Sequence, residues 1–410
     1  MLRNIVETAA AAGAVFGTGF YVFSILSAWR FLRGTQHDLR RAGAGQSSAS
    51  VGFHPPVSIL KPVRGADAHA YECFRSHCRL DYPEYEIIFG VHDPADPAIA
   101  LVERLKKEFP ERRIKLLVCS QELGPNRKVS NLIQMLPAAR YDHLLVNDGD
   151  IRVPPDYLQR IMPSLAAPKV GLVTALYRPV PGRTLVSKLE ALSITDFASS
   201  VLVRYQNGGA FPFAFGATLA FPRRVLEQVG GFEALADYLA DDSRLASMIV
   251  QRGYSVVVSN LVVDTTLPDY SLRDFWQHQL RWACTVRDAS PRGYSGLVLV
   301  FGVQWAVALI AAAGAGWAWA LFALAYASRI AGLLVTALGV CKDQGVLRNL
   351  WLLPLRDLQA FATWIAAHSG RTVTWHGDRF LLKHGRLLRI QATGVPPKHG
   401  GTELKNSNLL

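Results

Sequence analysis

Residues 141–152 read Tyr-Asp-His-Leu-Leu-Val-Asn-Asp-Gly-Asp-Ile-Arg, a short apolar run followed at once by turn-prone polar residues. We predict a buried β-strand at His143–Val146, because the series that begins at Asn147 cannot prolong a β-ladder. Asp148 and Asp150 are then left at the C-terminal edge of a strand. In an open α/β sheet ligands bind at that edge, and two carboxylates on either side of one glycine can face one hard divalent cation. An Asp-x-Asp triplet also occurs as a solvated turn, so the rest of the chain has to distinguish the two interpretations.

The composition indicates a large hydrophobic core and more apolar sequence than that core needs. The chain has 410 residues, of which 50% are hydrophobic. Its five cysteines are scattered and include no Cys-x-x-Cys pair, which indicates reduced thiols in a chain whose soluble part faces the cytoplasm. The formal charge of +12 comes from basic residues that crowd beside apolar segments. This favours anionic lipid headgroups and an anionic donor as partners, and no nucleic acid.

The N-terminal segment is predicted to anchor the chain in a membrane. Ile5–Ala28 is almost wholly apolar and long enough to span a bilayer. A cleaved signal peptide has its basic residues before the apolar run, whereas here they follow it, at Arg30, Arg33, Arg40 and Arg41. By the positive-inside rule the following domain is cytoplasmic. Residues 43–55 are rich in Gly, Ser and Ala and are interpreted as a linker.

From residue 56 to about residue 264, short β-rich runs alternate with helical stretches. The predicted helices are Ala98–Phe109 and Lys128–Leu136. The predicted strands are Val57–Leu60, Glu86–Val91, Ile114–Val118, His143–Val146 and Val170–Thr174. This alternation predicts an α/β fold with a doubly wound, mostly parallel sheet.

The C-terminal third is predicted to return to the membrane. In Ser271–Arg287, Phe275 and Trp276 alternate with basic and amide residues, which is typical of an interfacial helix and also of an ordinary helix closing the soluble domain. Leu297–Cys341 predicts two transmembrane helices joined by a turn at Gly314-Ala-Gly316. Leu350–His368 contains two charged residues and a proline, which favours an interfacial or re-entrant position. The basic tail predicts a cytoplasmic end and an even number of crossings.

These features divide the chain into segments that carry separate roles. The predicted order is an N-terminal anchor at 1–42, a linker at 43–55, a catalytic domain at 56–270, an amphipathic segment at 271–294, membrane segments at 295–370 and a basic tail at 371–410.

Six motifs follow one another between Val57 and Arg287. They are Lys61-Pro-Val-Arg-Gly-Ala-Asp67, Val91-His-Asp-Pro-Ala-Asp-Pro-Ala98, Gly124-Pro-Asn-Arg-Lys-Val-Ser-Asn-Leu132, Asp148-Gly-Asp150, Ala240-Asp-Asp242 and His278-Gln-Leu-Arg-Trp282. Each is weak alone, but in this order they resemble the ceramide glucosyltransferase family, within the wider group of inverting nucleotide-sugar glycosyltransferases. The resemblance implies a GT-A-like fold, with Asp93 beside the nucleotide base and a segment around Lys128 beside the diphosphate.

The resemblance also implies the site residues. It places a divalent cation, Mg²⁺ or Mn²⁺, on Asp148 and Asp150 and a general base at Asp242. Asp241 is expected to point elsewhere, and the pair could alternatively be a helix N-cap. His278 stands where the family has Gln or Arg. The implied donor-binding residues are Lys61, Pro62, Asp93, Lys128, Asn131, Asp148, Arg281 and Trp282.

Together these patterns predict an integral membrane enzyme that transfers one sugar, N-acetylglucosamine or glucose, from a UDP-sugar to a lipid hydroxyl. The His-Gln-Leu-Arg-Trp-Ala run and Pro291-Arg-Gly-Tyr294 favour the bacterial branch of the family, located in the inner membrane and acting on a hopanoid such as bacteriohopanetetrol. The alternatives are a ceramide glucosyltransferase, a processive polysaccharide synthase and a non-catalytic nucleotide-sugar-binding protein. The sequence leaves the oligomeric state open.

Overall fold

The computed structural model describes residues 1–43, 52–207, 211–370, 372–375 and 378–390. The predicted linker at 43–55 lies mostly outside these ranges. An N-terminal helix, α1 (Leu2–Gly43), precedes a soluble α/β domain, and further helices and a small sheet follow it.

An eight-stranded sheet forms the centre of the soluble domain. Its strand order is β3-β2-β1-β4-β7-β6-β8-β5. The neighbours β3-β2-β1-β4 and the pair β6-β8 run parallel, whereas β7 and β5 are antiparallel to their neighbours. The strands are β1 Val57–Pro62, β2 Tyr85–Val91, β3 Arg113–Val118, β4 His143–Val146, β5 Ile151–Arg152, β6 Val170–Val180, β7 Leu219–Pro222 and β8 Ser255–Thr266.

The predicted fold class is confirmed, with three strands added. All five predicted strands are present, and the sheet is mainly parallel. The antiparallel strands β7 and β5 are too short for periodicity alone to predict. The long strand β8, which pairs with β6, is one that the sequence reasoning missed. Every residue of β1 and β2 is buried, because helices cover both faces of this half of the sheet.

One helix of the soluble domain begins at a capping side chain. The Asn126 side chain accepts a hydrogen bond from the Val129 amide at 3.1 Å and so begins the helix of residues 127–135. The helices of this domain are α2 Ala70–Cys78, α3 Ala98–Glu108, α4 Arg127–Met135, α5 Tyr157–Ile161, α6 Leu185–Asn207, α7 Arg223–Gln228 and α8 Asp241–Gln251.

The remaining helices form the membrane part and its connection to the domain. They are α9 Leu272–Ala289, α10 Pro291–Gly296, α11 Gly302–Ala313, α12 Gly316–Leu334, α13 Gly345–Asn349 and α14 Leu353–His368. Gly314 adopts φ +65°, a left-handed conformation that suits glycine and forms the predicted turn between α11 and α12.

Two helical segments are long and apolar enough to cross a membrane, Leu2–Gly34 and Gly316–Val340. A third crossing exists if Pro291–Val300 and Gly302–Ala313, bent by 55° against each other, count as one span. A Cβ at Gly17 would collide with the backbone of Gly302, so α1 and α11 cross in very close contact. The described chain thus has two candidate membrane spans, and the first of the two predicted C-terminal spans exists only if this bent pair counts as one.

The basic tail folds back onto the soluble domain. Its strands are β9 Thr372–Trp375, β10 Asp378–Lys383 and β11 Arg386–Arg389, which form an antiparallel sheet. The Leu387 amide donates to the Asp237 carbonyl at 2.7 Å, and the Leu239 amide donates to the Gly385 carbonyl at 3.3 Å. The described part of the tail, up to residue 390, is thus joined to the soluble domain, and an even number of crossings between them stays a prediction.

The amphipathic helix α9 differs from its predicted arrangement. Phe275 is 2% exposed and packs with Leu189 of α6 and Leu353 of α14, whereas Trp276 is 37% exposed. Treating both aromatic residues as one membrane-facing surface is therefore wrong for Phe275. Adjacent helical positions point about 100° apart, so that only one of them faces away from the protein.

Candidate active site

Lys128 connects the two acidic motifs. Its Nζ lies 2.7 Å from Asp148 Oδ1, in the loop after β4, and 3.0 Å from Asp241 Oδ2, at the start of α8. Burial acts to lower the pKa of Lys128, but the three nearby carboxylates outweigh burial and raise it. The ammonium group is therefore charged, and Asp241 points at this charge.

Asp242 follows Asp241 in the chain, and both of its carboxylate oxygens accept hydrogen bonds from the backbone. Oδ2 accepts a hydrogen bond from the Gly216 amide at 3.0 Å, and Oδ1 accepts one from the Ser243 amide at 2.6 Å. The N-cap of α8 is Ala240, without a side-chain cap, so the N-cap interpretation of the two aspartates is wrong. Burial, followed by the charge of Asp241, raises the pKa of Asp242 to about 6.

The acidic loop, which carries Asp148 and Asp150, is fixed by hydrogen bonds from two strands of the sheet. Thr265 of β8 donates its hydroxyl to Asp150 Oδ2 at 2.5 Å. The Lys61 Nζ donates to the Asp148 carbonyl at 2.7 Å, and this side chain is completely buried. Burial lowers the pKa of Lys61 to about 8. Lys61 therefore stabilises the backbone of the acidic loop by this hydrogen bond. Its predicted contact with the donor stays a prediction.

Gly216 is a site residue that the sequence reasoning missed. Its carbonyl accepts from the Asp148 amide at 3.1 Å, while its own amide serves Asp242. A Cβ at this position would collide with the Asp148 carboxylate and approach Lys128. A glycine here lets the backbone before β7 hydrogen-bond both Asp148 and Asp242 without a side chain in the way. In the sequence, this position could have been noticed as the glycine within Phe211–Phe221.

Three of the predicted donor-binding residues have contacts outside the acidic centre. Asp93 is exposed after β2 and accepts from the Ala95 amide at 2.8 Å. Asn131 is buried and donates to the Gly90 carbonyl at 3.4 Å. Pro62 is buried at the end of β1. The structure brings none of the three into the wall of the cavity described next, and their predicted roles stay predictions.

A cavity of about 1060 Å³ joins the acidic centre to the membrane helices. At one end it is lined by Asp148, Asp150 and Asp242, and at the other by Tyr21 of α1 and Arg329 of α12. The helix α6 contributes residues along the whole length between the two ends. The cavity is thus large enough for an amphiphile to reach the acidic centre from the membrane part.

The Arg-Trp motif forms one wall of this cavity. Arg281 lies in it, and burial lowers the pKa of this guanidinium to about 10, so that it stays charged at neutral pH. The Trp282 ring packs against Phe197 at 6.2 Å between centroids and against His278 at 5.3 Å. The predicted site residues Arg281 and Trp282 therefore share one cavity with Asp242.

At the membrane end, charged residues from three helices pair. Arg329 of α12 donates two hydrogen bonds of 2.8 Å to Asp196 of α6 and one of 2.7 Å to Asp357 of α14. Arg356 approaches Asp196 to 3.4 Å. Arg356 and Asp357, the charged residues of the third apolar stretch, are thus neutralised by partners. The helix that carries them, α14, is not among the candidate spans of the described chain.

The acidic centre fits a divalent cation by donor type. Among the described residues, no group of three or more His, Cys, Asp or Glu side chains could hold a metal ion. Asp148 and Asp150 nevertheless supply carboxylate oxygens, and burial and the charge of Asp148 raise the pKa of Asp150. That shift indicates unbalanced negative charge, which suits a cation completing its shell with phosphate oxygens and water.

A GT-A-like sheet with an acidic centre at its strand ends defines a glycosyltransferase class of fold. The profile of Glycosyl transferase family 21 matches residues 10–388, and the chain belongs to this family. The resemblance inferred from the motifs is thereby confirmed, and so is the assignment as an enzyme that transfers a sugar.

The chain is similar to two proteins of Caenorhabditis elegans. It is 26% identical to ceramide glucosyltransferase 1 over 263 residues, which are 61% of this chain and 56% of that protein. It is 26% identical to ceramide glucosyltransferase 3 over 361 residues, which are 84% of this chain and 75% of that protein. The match thus spans little more than half of the first relative.

Among solved structures, the fold is similar to a mannosyltransferase from Pyrobaculum calidifontis in complex with GDP-Man and Mn²⁺. The TM-score is 0.52 at 19% identity, with 88% of this chain and 97% of the other covered. At this identity the likeness concerns the fold alone.

Proposed function

We propose that the protein transfers one sugar from a UDP-sugar to a hydroxyl of a membrane lipid, with inversion at the anomeric carbon. The observation that carries the proposal is the cavity that runs from Asp242 to the membrane helices α1 and α12. A water-soluble acceptor has no need of such a path. A lipid gains from it, because leaving the bilayer costs about 25 cal/mol per Å² of apolar surface exposed.

The residues of the acidic centre divide the chemistry between them. Asp242 takes the proton of the attacking hydroxyl, and its raised pKa makes it a stronger base than an ordinary aspartate. Lys128 and Arg281 stay charged and stabilise the negative charge that develops on the leaving diphosphate. A Mg²⁺ or Mn²⁺ ion on Asp148 and Asp150 would add Lewis-acid stabilisation of the same charge.

The acceptor candidates are two lipid classes. The motif around His278 favours a polyhydroxylated hopanoid with N-acetylglucosamine as the sugar. The names of the relatives favour ceramide with glucose. We place the reaction on the cytoplasmic side of a bacterial inner membrane, because the basic residues that follow the first span lie on the side of the catalytic domain.

The test uses purified full-length protein in mixed micelles. UDP-glucose and UDP-N-acetylglucosamine are each offered with ceramide, bacteriohopanetetrol or a total lipid extract, and products are identified by mass. We expect a glycolipid carrying one added sugar, absent with Asp242→Asn. A polymer as product would instead indicate a polysaccharide synthase. Donor binding without transfer to any lipid would leave a nucleotide-sugar-binding protein and overturn the proposal.

A further inference from the structure

A buried carboxylate that the mechanism does not use lies in the wall of the cavity. Glu190 of α6 is 2% exposed, and although the Tyr270 side chain interacts with this carboxylate, its Oε2 atom makes no hydrogen bond of ordinary geometry to the described residues. Leaving such an acceptor unpaired costs free energy, because it has lost its hydrogen bonds to water. An unpaired carboxylate oxygen at a cavity wall indicates that the missing donor belongs to a ligand.

His278 lies directly beside this carboxylate. Its Nδ1 approaches Glu190 Oε1 to 2.9 Å, although the ring N–H does not point straight at that oxygen. The ring is stacked on Tyr270 at 5.6 Å and 28°, and it meets the Trp282 ring edge-on. The two aromatic rings hold the imidazole in place at the cavity wall.

The pair offers hydrogen-bonding capacity that suits hydroxyl groups. Glu190 Oε2 accepts a hydrogen bond, and with a proton on Nδ1 the Nε2 atom of His278 accepts a second one. Hydroxyl groups can donate to both atoms. A deprotonated phosphate suits these atoms less well, because it has no proton to donate to them.

Position distinguishes the lipid from the donor as the source of these hydroxyls. The diphosphate of a donor belongs next to Lys128, whose ammonium carries the positive charge of the acidic centre. Glu190 instead lies on α6, the helix whose Asp196 pairs with Arg329 of α12 at the membrane end of the same cavity. Glu190 therefore marks the place where the head of a lipid coming from the membrane would meet the catalytic end.

We propose that Glu190 and His278 bind a second hydroxyl of the acceptor lipid, next to the hydroxyl that reacts. The inference rests on the proposed function and names the acceptor class, a lipid with at least two hydroxyls in its head. It also gives His278 a role at the motif position where the family has Gln or Arg. The pair makes the enzyme prefer such a lipid over an otherwise equal lipid with one hydroxyl.

The experiment measures that preference directly. Wild-type enzyme is assayed with ceramide and 3-deoxyceramide, and with bacteriohopanetetrol and a monohydroxylated hopanoid, as kcat/KM at varied surface concentration. We expect wild type to prefer the polyol of the active pair by about tenfold or more, the loss that follows when a hydrogen bond to a charged group is removed. Glu190→Gln and His278→Ala should bring the ratio close to one, with the KM for the UDP-sugar unchanged.

Two further variants serve as controls. His278→Gln keeps a hydrogen-bonding side chain and should retain most of the preference. Glu227→Gln removes an exposed carboxylate on α7 and should leave the ratio as in wild type. Thermal melting of each variant establishes that it is folded, and a ratio of two rates from the same preparation does not depend on the folded fraction.

The outcomes separate this inference from the proposed function. If wild type transfers sugar to lipid but shows no preference for the polyol, or if Glu190→Gln keeps that preference, the inference is overturned while the function stands. A rise in the KM for the UDP-sugar alone would assign Glu190 to the donor. If wild type glycosylates no lipid, the proposed function fails first.

Discussion

The two ends of the cavity hold buried charge in opposite ways. At the catalytic end five carboxylates, including Glu190, face three cations, those of Lys61, Lys128 and Arg281. At the membrane end two carboxylates face two guanidinium groups, in pairs that involve Asp196, Arg329, Arg356 and Asp357. The first end carries an excess of negative charge, and the second is balanced.

This difference in charge balance predicts different roles for the two ends, catalysis at the first and stability at the second. Excess carboxylates raise each other's pKa and attract a cation, which prepares the catalytic end for a metal and a proton. Balanced pairs in an apolar surrounding bind nothing further, but each partner is needed to neutralise the other. Removing one charge should therefore change activity at the first end and stability at the second.

The largest effect is expected at Asp242. Asp242→Asn removes the proton acceptor and should lower kcat by on the order of 10³- to 10⁴-fold, the range for general base catalysis. Because the amide retains the size of the side chain and one of its two accepted hydrogen bonds, UDP binding measured by calorimetry should stay close to wild type. Near-normal turnover would assign the base to another residue.

Arg329→Met removes one of the two guanidinium groups at the membrane end of the cavity. It leaves Asp196 and Asp357 without their shared partner and should lower the free energy of unfolding by about 3–5 kcal/mol, as for a buried charge that has lost its partner. Thermal melting in detergent measures the loss. The matched control is Arg224→Met, which removes an exposed guanidinium.

The double variant Arg329→Met, Asp357→Asn should recover most of the lost stability, because Asp196 keeps Arg356 as its partner and no unpaired charge remains. A single variant as stable as wild type would mean that the ion pairs do not hold these helices together.

The metal site gives a smaller effect on rate. Asp150→Ala, or an excess of chelator on the wild type, should lower turnover by about 10²-fold and weaken donor binding, because the diphosphate loses a cation. Titrating Mn²⁺ while recording UDP binding provides a readout apart from turnover. Asp156→Ala changes an exposed carboxylate and should have no effect. Full activity in chelator would remove the metal from the mechanism.

The pH dependence follows from the raised pKa of Asp242. Protonation removes the base, and with a pKa of about 6 the loss occurs well above the pH at which an ordinary aspartate is protonated. We expect kcat/KM to be constant above pH 7 and about tenfold lower at pH 5. The residual rate of Asp242→Asn should lack this acid limb. A profile flat down to pH 5 would show that the group is not the base.

The smallest effect concerns entry from the bilayer. Trp276 is the exposed aromatic residue of the pair on α9, so Trp276→Ser should raise the apparent KM for lipid by about two- to threefold. The KM for the UDP-sugar should not change. Phe275→Ser tests packing instead and should lower the melting temperature, because its ring is buried. Rapid transfer to a short water-soluble alcohol would argue against bilayer access.

Much of the fold was predictable because its signals are local. The apolar run at His143–Val146, the turn residues that follow it and the alternation with helices each depend on neighbours in the chain. They predicted five strands and the position of Asp148 and Asp150 at a strand end. The motifs likewise located Asp242 and Arg281 in what proved to be one cavity.

The sequence by itself determined the fold class, the order of the acidic motifs and the membrane segments, because hydrophobic periodicity and turn chemistry act over a few residues. Only the tertiary structure decided which charges meet. Arg329 and Asp196 are 133 residues apart, and Glu190 meets His278 from another helix. Gly216 and Phe275 take their roles from what packs against them. Such pairings depend on the packing of whole elements, and no local pattern specifies them.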